Sequence, residues 1–121
     1  INTERVKAGL SAFKTLSTLS APAQVRAQEA SVLFAHVRPD TRNCATVYTD
    51  FGLSYSNAGE NLAYGFKDPA ALVNSWMASK FHRANILNAS FTYAAVGYFK
   101  NSKGSVYCSL LLYTPSLSKV K

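Results

Sequence analysis

The sequence holds few of the residues that usually carry out chemistry. Among its 121 residues are two cysteines, two histidines, one tryptophan and one methionine. There are six carboxylates, and no serine lies in the G-x-S-x-G motif of an α/β-hydrolase. The six glycines form no phosphate-binding loop, so the sequence does not indicate nucleotide binding.

Long apolar runs are also missing. No stretch of about 18 apolar residues occurs, so we expect no transmembrane helix, and the first ten residues show no signal-peptide core. The mature form of a secreted protein would look the same. Because 121 residues suit one hydrophobic core, we predict a single domain over residues 1–121, with residues 115–121 as a basic tail.

Acidic residues are outnumbered, with thirteen Lys and Arg against six Asp and Glu and a net charge of +7. This excess favours anionic partners such as cell-wall polymers or lipid headgroups. The basic residues are scattered and not clustered with aromatic residues, so we expect no nucleic-acid partner. We expect the domain to be a monomer.

The two cysteines leave two interpretations open. Cys44 and Cys108 lack the C-x-x-C spacing of a zinc or redox motif. They could form one disulfide in an oxidising compartment, or they could be two unpaired buried thiols. Catalysis by a Cys–His pair has its parts here, but no local motif supports it.

The first half of the chain reads as helices joined by loops. Residues 2–9 look like the end of a helix with Gly9 after it and Arg5 facing solvent. A second helix should begin with Ser20 as its N-cap and end near His36, because small apolar residues recur along it at spacings of three and four. Its apolar stripe consists of Ala23, Ala27, Ala30 and Phe34.

The segment between that helix and Gly65 reads as a loop with short regular pieces. We expect an extended piece over residues 44–48, where strand-forming residues gather. A short helix should follow Glu60 over residues 61–65.

The second half predicts a helix followed by a β-hairpin. Asp68 and Pro69 together signal a helix start, and the pattern continues through residues 79–87. Two β-rich runs, 92–99 and 105–114, flank the loop signal at 101–104, and the second is apolar enough for a central strand. We therefore predict an α+β fold in which helices cover an antiparallel sheet. The first of these helices should face the core with Leu72, Val73, Trp76 and Met77.

His36, Glu60 and His82 are the candidate site residues. Two imidazoles and a carboxylate could bind zinc or another divalent cation, with His36 and His82 as ligands, or could act as acid and base. Their spacings of 24 and 22 residues form no local motif. The alternatives are structural: a histidine at a helix end, a carboxylate in a first helical turn and a surface histidine.

The motifs resemble those of the CAP superfamily, which includes cysteine-rich secretory, antigen 5 and pathogenesis-related 1 proteins, and most closely its bacterial branch. The resemblance covers nearly the whole chain in order. Its most specific parts are G-E-N at 59–61 and the run W-M-A-S-K-F-H-R-A-N-I-L at 76–87. Other matching segments are 2–10, 25–29, 36–46, 55–63 and 96–98.

The resemblance implies an α-β-α sandwich whose cleft contains His36, Glu60 and His82. Ser79 lies in the region where eukaryotic members carry a second cleft glutamate. We expect a binding module that is extracellular or associated with the cell envelope or a spore, with a wall polymer, a lipid or a protein as partner. The alternatives are a divalent-metal-assisted hydrolase that uses His36, Glu60 and His82, and a lipid or sterol carrier.

Overall fold

A computed structural model describes residues 1–66 and 68–116. A 3-10 turn at Ser17–Leu19 precedes the second of five helices. The helices are α1 (Asn2–Lys7), α2 (Ser20–Val32), α3 (Thr46–Asp50), α4 (Pro69–Ala78) and α5 (Lys80–Ile86). The strands are β1 (Tyr55–Tyr64), β2 (Tyr93–Lys100) and β3 (Val106–Pro115).

The three strands form one antiparallel sheet in the order β1-β3-β2. The central strand β3 is buried from Cys108 to Tyr113 because both of its edges are paired and helices cover both of its faces. The predicted hairpin and the predicted central strand are therefore confirmed. Pro115 is the last residue of β3, not the first of the tail, and residues 117–121 of that tail lie outside the described part.

Alternate side chains of β3 build two separate cores, one on each face of the sheet. Leu110 and Leu112 pack against Trp76 and Ile86 on the face covered by α4 and α5. Leu111 and Tyr113 pack on the face covered by α2 and α3. The predicted α+β fold, an α-β-α sandwich with a central antiparallel sheet, is confirmed.

Helix α2 lies unusually close to the sheet, and small residues make this possible. Ala23, Ala27 and Ala30 are fully buried on the face of α2 that meets the strands. At Gly97 in β2, an added Cβ would lie 1.9 Å from the carbonyl oxygen of Ala23, so only glycine fits there. Ser109 in β3 donates a hydrogen bond to the same carbonyl, at 2.6 Å. This close packing fixes the position of α2 over the sheet.

Helices α4 and α5 cover the outer edge of β1. Trp76 Nε1 donates to the carbonyl of Leu62 at 3.1 Å, and the Asn85 amide donates to the carbonyl of Glu60 at 3.3 Å. The Asn61 amide donates in return to the carbonyl of His82. These contacts satisfy backbone groups that an uncovered edge strand would leave exposed. The G-E-N motif thus lies between α2 on one face and α5 at the edge.

Two of the elements predicted between α2 and α4 are wrong. Residues 44–48 are not extended, because Thr46–Asp50 forms α3, with Val47 and Tyr48 buried against β3. Residues 61–65 do not begin a helix, because Tyr55–Tyr64 forms β1 and pairs with β3. In both cases tertiary contacts with the central strand outweigh local propensity.

Details of the first helices also differ from the sequence-based predictions. Helix α2 ends at Val32, and Phe34 lies beyond it and is exposed. Ser20 is not an N-cap, because the preceding 3-10 turn leads directly into the helix. Arg5 is buried and donates hydrogen bonds to the carbonyls of Ile86 and Asn88. The arginine expected to face solvent therefore ties α1 to the segment after α5.

Within residues 1–66 and 68–116, no helix is long and apolar enough to cross a bilayer.

Candidate functional site

A buried ion pair lies at the centre of the candidate site. Arg26 Nε and Nη2 donate to the two carboxylate oxygens of Glu60 at 2.6 and 2.8 Å. The Arg26 side chain has no exposed surface and that of Glu60 is 2% exposed. Such bidentate pairing is the geometry that best offsets the cost of burying two charges. Although burial opposes its charge, Arg26 has a raised pKa because of Glu60 and then Glu29.

The helical repeat of α2 and the alternation of side chains along β1 place Arg26 and Glu60 opposite each other. Arg26 lies on the same helical face as Ala23, Ala27 and Ala30, which faces the sheet. Glu60 pairs with Leu111 across β1 and β3 and points to the face that α2 covers. An arginine within a stripe of buried alanines is therefore the natural partner of Glu60.

A second layer of charges holds the loop after α2 against this pair. Glu29 accepts hydrogen bonds from Arg26 and from Arg38. Arg38 is buried and also donates to Asp50 in α3 at 2.7 Å. Burial opposes the charge of Glu29, but Arg38 and then Arg26 lower its pKa. The loop over residues 36–44 is thereby fixed to both α2 and α3.

His36 lies at the mouth of the site, in contact with Glu60. Its Nδ1 is 2.9 Å from Glu60 Oε1, and its side chain is 56% exposed. The Cys44 thiol contributes most to raising the pKa of His36 to about 9, and Glu60 adds to the effect. His36 therefore carries a positive charge near neutral pH, with one side of its ring open to solvent.

His82 approaches the same region from α5. It is partly buried, and burial followed by the charge of His36 lowers its pKa. The structure thus joins His36 to Glu60 directly and places His82 within electrostatic range of His36. The two histidines differ in electrostatic environment, since the shifts of their pKa values have opposite directions.

Two members of the site were missed by reasoning from sequence. The burial of Arg26 was not predicted, although its position between Ala23, Ala27 and Ala30 was the signal for it. Cys44 was considered as a disulfide partner, as a buried thiol or as part of a Cys–His pair, and it was not assigned to the His36 site. Cys44 and Cys108 are both free thiols in the structure, so the disulfide interpretation is not supported.

Comparison with known proteins agrees with this geometry. The model of the cysteine-rich secretory protein family, CAP, matches residues 1–113. The chain belongs to the CAP family. The resemblance inferred from the motifs is confirmed.

Two curated relatives of this CAP domain come from Bacillus subtilis. The uncharacterised protein YkwD is 40% identical over 108 residues, which are 88% of this chain and 41% of YkwD. The uncharacterised membrane protein YlbC is 33% identical over 64 residues, which are 53% of this chain and 18% of YlbC. The chain thus spans less than half the length of either relative.

Solved structures with the same fold come from other bacteria. An extracellular protein containing an SCP domain from Bacillus anthracis has a TM-score of 0.83 at 22% identity, covering 93% of this chain and 37% of that protein. An outer surface protein from Borrelia burgdorferi has a TM-score of 0.85 at 17% identity, covering 95% of this chain and 86% of that protein. At these identities the matches show a shared fold.

The donor groups of this CAP domain fit a zinc site only in part. Within the described residues, one atom each of His36, Cys44 and Glu60 lies within 4.8 Å of the other two. Both oxygens of Glu60 are occupied by Arg26, so this carboxylate is a poor ligand. Two imidazoles alone fall short of the three or four protein ligands of zinc sites. Zinc binding by His36 and His82 stays a prediction, as does catalysis by these two residues with Glu60.

We expect Arg26→Met to lower the free energy of unfolding by about 3–5 kcal/mol, because it leaves the Glu60 carboxylate buried without its partner. Urea denaturation followed by tryptophan fluorescence measures this loss. Arg42→Met is the matched control: its ion pairs lie at the surface, with the Arg42 side chain 44% exposed, and their loss should change the stability far less. Equal losses in the two variants would contradict a special role for the buried pair.

The two histidines should titrate separately in an NMR pH titration. We expect His36 to titrate near pH 9 and His82 below the ordinary value of about 6.5. The stabilisation from His36 is fully present below about pH 6.5 and is lost as the pH rises through about 9. Glu60→Gln should move the midpoint of His36 downwards. Two coincident titrations near pH 6.5 would overturn this assignment.

Proposed function

We propose that this CAP domain is a binding module of the bacterial cell envelope that holds an extended acidic polysaccharide. The observation that carries the proposal is a cluster of three aromatic rings beside the His36 site, of which two are exposed and one is partly buried. We call this cluster the aromatic platform; its members are Phe34, Tyr64 and Tyr107.

The aromatic platform is ordered but open to solvent. The rings of Tyr64 and Tyr107 stack with centroids 5.6 Å apart, and Phe34 meets Tyr64 edge to face at 4.9 Å. Phe34 is 46% exposed and Tyr64 is 55% exposed. Rigid aromatic rings offer large contact areas at a low entropic cost. The apolar faces of sugar rings are suited to stacking on such a surface.

The platform and the His36 site lie on one face of the same strand. Glu60 and Tyr64 are four residues apart in β1, which is about 13 Å along a strand. Side chains at this spacing point to the same face, so Tyr64 and the Glu60-bound His36 lie along one line. A chain of a few sugar units can contact both, with an acidic group of the polymer near the cationic His36.

The net charge of the chain and the described locations of two structural relatives both agree with binding to an anionic polymer of the cell envelope. The net charge of +7 attracts such polymers over long range. Two structures of the same fold are described as an extracellular protein and an outer surface protein. We extend that setting to this chain as part of the proposal.

The hydrolase alternative has less support from the geometry. A general base needs a free oxygen directed at its substrate, whereas Arg26 occupies both oxygens of Glu60 and His36 shares one of them. The pair therefore fixes His36 in place, as a binding site requires.

Binding to purified acidic wall polysaccharide, measured by calorimetry, tests the proposal. We expect Tyr64→Ala to weaken binding roughly tenfold, equal to about 1.4 kcal/mol, and higher salt to weaken it further. Tyr98→Ala is the matched control, because Tyr98 is also 55% exposed but lies on the other edge strand, β2. Equal binding by wild type and Tyr64→Ala, or equal losses in both variants, would refute the role of the platform.

A lipid or sterol carrier is the second candidate, and a cavity on the opposite face of the sheet favours it. The cavity has a volume of about 690 Å³, within the usual range for small-molecule sites. Its apolar lining includes Phe13, Leu72, Val73, Trp76 and Leu110. An acyl chain has the shape and polarity for such a space.

Because Trp76 lines this cavity and is the only tryptophan, its fluorescence reports on binding there. Titration with oleate should change the emission of Trp76 until the cavity is saturated. Val73→Asp should abolish the change, whereas Val32→Asp, at a residue that is 75% exposed, should preserve it. If oleate leaves the emission of the wild-type chain unchanged, the lipid hypothesis is wrong.

A further inference from the structure

The loop between α2 and α3 places a thiol beside the His36 imidazole. Cys44 donates its backbone N–H to the carbonyl of His36 at 2.9 Å, and Val37 and Asn43 form a β-bridge inside the loop. The loop is thus closed into a narrow hairpin whose ends lie side by side. One atom each of Cys44, His36 and Glu60 lies within 4.8 Å of the other two.

The four side chains form a compact cluster that begins at the buried Arg26 and reaches the surface at His36. Arg26 holds both oxygens of Glu60, and Glu60 holds Nδ1 of His36. His36 in turn lies against the Cys44 thiol, whose contact helps to hold the imidazole in its charged form. A nucleophile, a cation that stabilises its anionic form and a carboxylate that orients this cation are the parts of an activated thiol site.

The two cysteines differ sharply in their surroundings. Cys44 is only partly buried, at the end of a surface loop. Cys108 is 8% exposed in β3, and burial raises the pKa of its thiol. Because the thiolate is the nucleophile, a cation beside the sulfur favours reaction and an apolar environment opposes it. The chain thus contains its own unreactive reference thiol.

We propose that Cys44 is a reactive thiol that exchanges with small-molecule disulfides, with His36 as the cation that stabilises its thiolate and Glu60 as the positioning residue for His36. This activity is independent of polysaccharide binding. It makes Cys44 a site of reversible modification beside the proposed binding surface.

The exchange balances without a further oxidant. The Cys44 thiol loses its proton to water, and the thiolate, beside the charged imidazole of His36, attacks one sulfur of a disulfide R–S–S–R. A bond forms between Cys44 and one RS group while the original S–S bond breaks. The other RS group leaves as a thiolate and takes up a proton from water. The products are one mixed disulfide on the protein and one small thiol.

Several charged or titratable groups from different elements lie around this thiol and its neighbour His36. The nearest cation and anion are His36 and Glu60. The others are Arg26 from α2, which neutralises Glu60, Tyr48 from α3 and His82 from α5.

The test is the rate of reaction with the aromatic disulfide DTNB, in the presence of EDTA at about pH 6, where an ordinary thiol is less than about 1% ionised. We expect one thiol per chain to react roughly tenfold or more faster than the cysteines of the same chain unfolded in guanidinium. Cys44→Ser should remove this fast phase and leave the slow reaction of Cys108.

His36→Gln should slow the fast phase roughly tenfold, because the cation beside the sulfur is lost. Glu60→Gln should slow the fast phase and also lower the midpoint of His36 in the NMR titration, which a purely structural residue would not do. Lys7→Gln, at an exposed residue of α1, serves as the control for loss of a positive charge and should leave the rate close to that of the wild type. A fast phase that His36→Gln leaves unchanged, or a rate no higher than in the unfolded chain, would overturn the proposal.

Discussion

The buried pair of Arg26 and Glu60 is the interaction on which the site depends. It joins α2 to β1 across a face that is otherwise packed by alanines, aliphatic residues and tyrosines. Two charges with almost no exposed surface are tolerated because each satisfies the other, and because Glu29 and the carbonyl of Ala35 accept further hydrogen bonds from Arg26. The pair also determines what Glu60 can do: its carboxylate fixes His36 and is not free to act on a ligand.

The positions of the groups at the surface depend on this pair. Fixed by Glu60, His36 presents a charged imidazole at the mouth of the site. Closure of the loop over residues 36–44 brings Cys44 to its side. Farther along β1, Tyr64 extends the same face into an exposed aromatic platform. A polar site and an apolar one therefore share a single strand, as an extended ligand with both kinds of group requires.

Much of the fold could be predicted because its signals are local. Asp68 and Pro69 mark the start of α4, and the apolar run at 110–113 marks the central strand. The position of β1 could not be predicted, because its strand character comes from pairing with β3, which lies far along the chain. Motifs identified His36, Glu60 and His82, but Arg26 and Cys44 join the site through tertiary packing. Helical periodicity contained the signal for Arg26 once the alanine stripe was taken as buried.

A double-mutant cycle on Arg26 and Glu60 tests the central claim most directly. The unfolding free energies of Arg26→Met, Glu60→Leu and the double variant are compared with that of the wild type. If the site depends on the pair, each single variant leaves a buried charge without its bidentate partner, and the double variant is more stable than the sum of the two losses predicts. A coupling of about 2 kcal/mol or more is expected. Losses that simply add would show that the two residues act independently and would contradict this account.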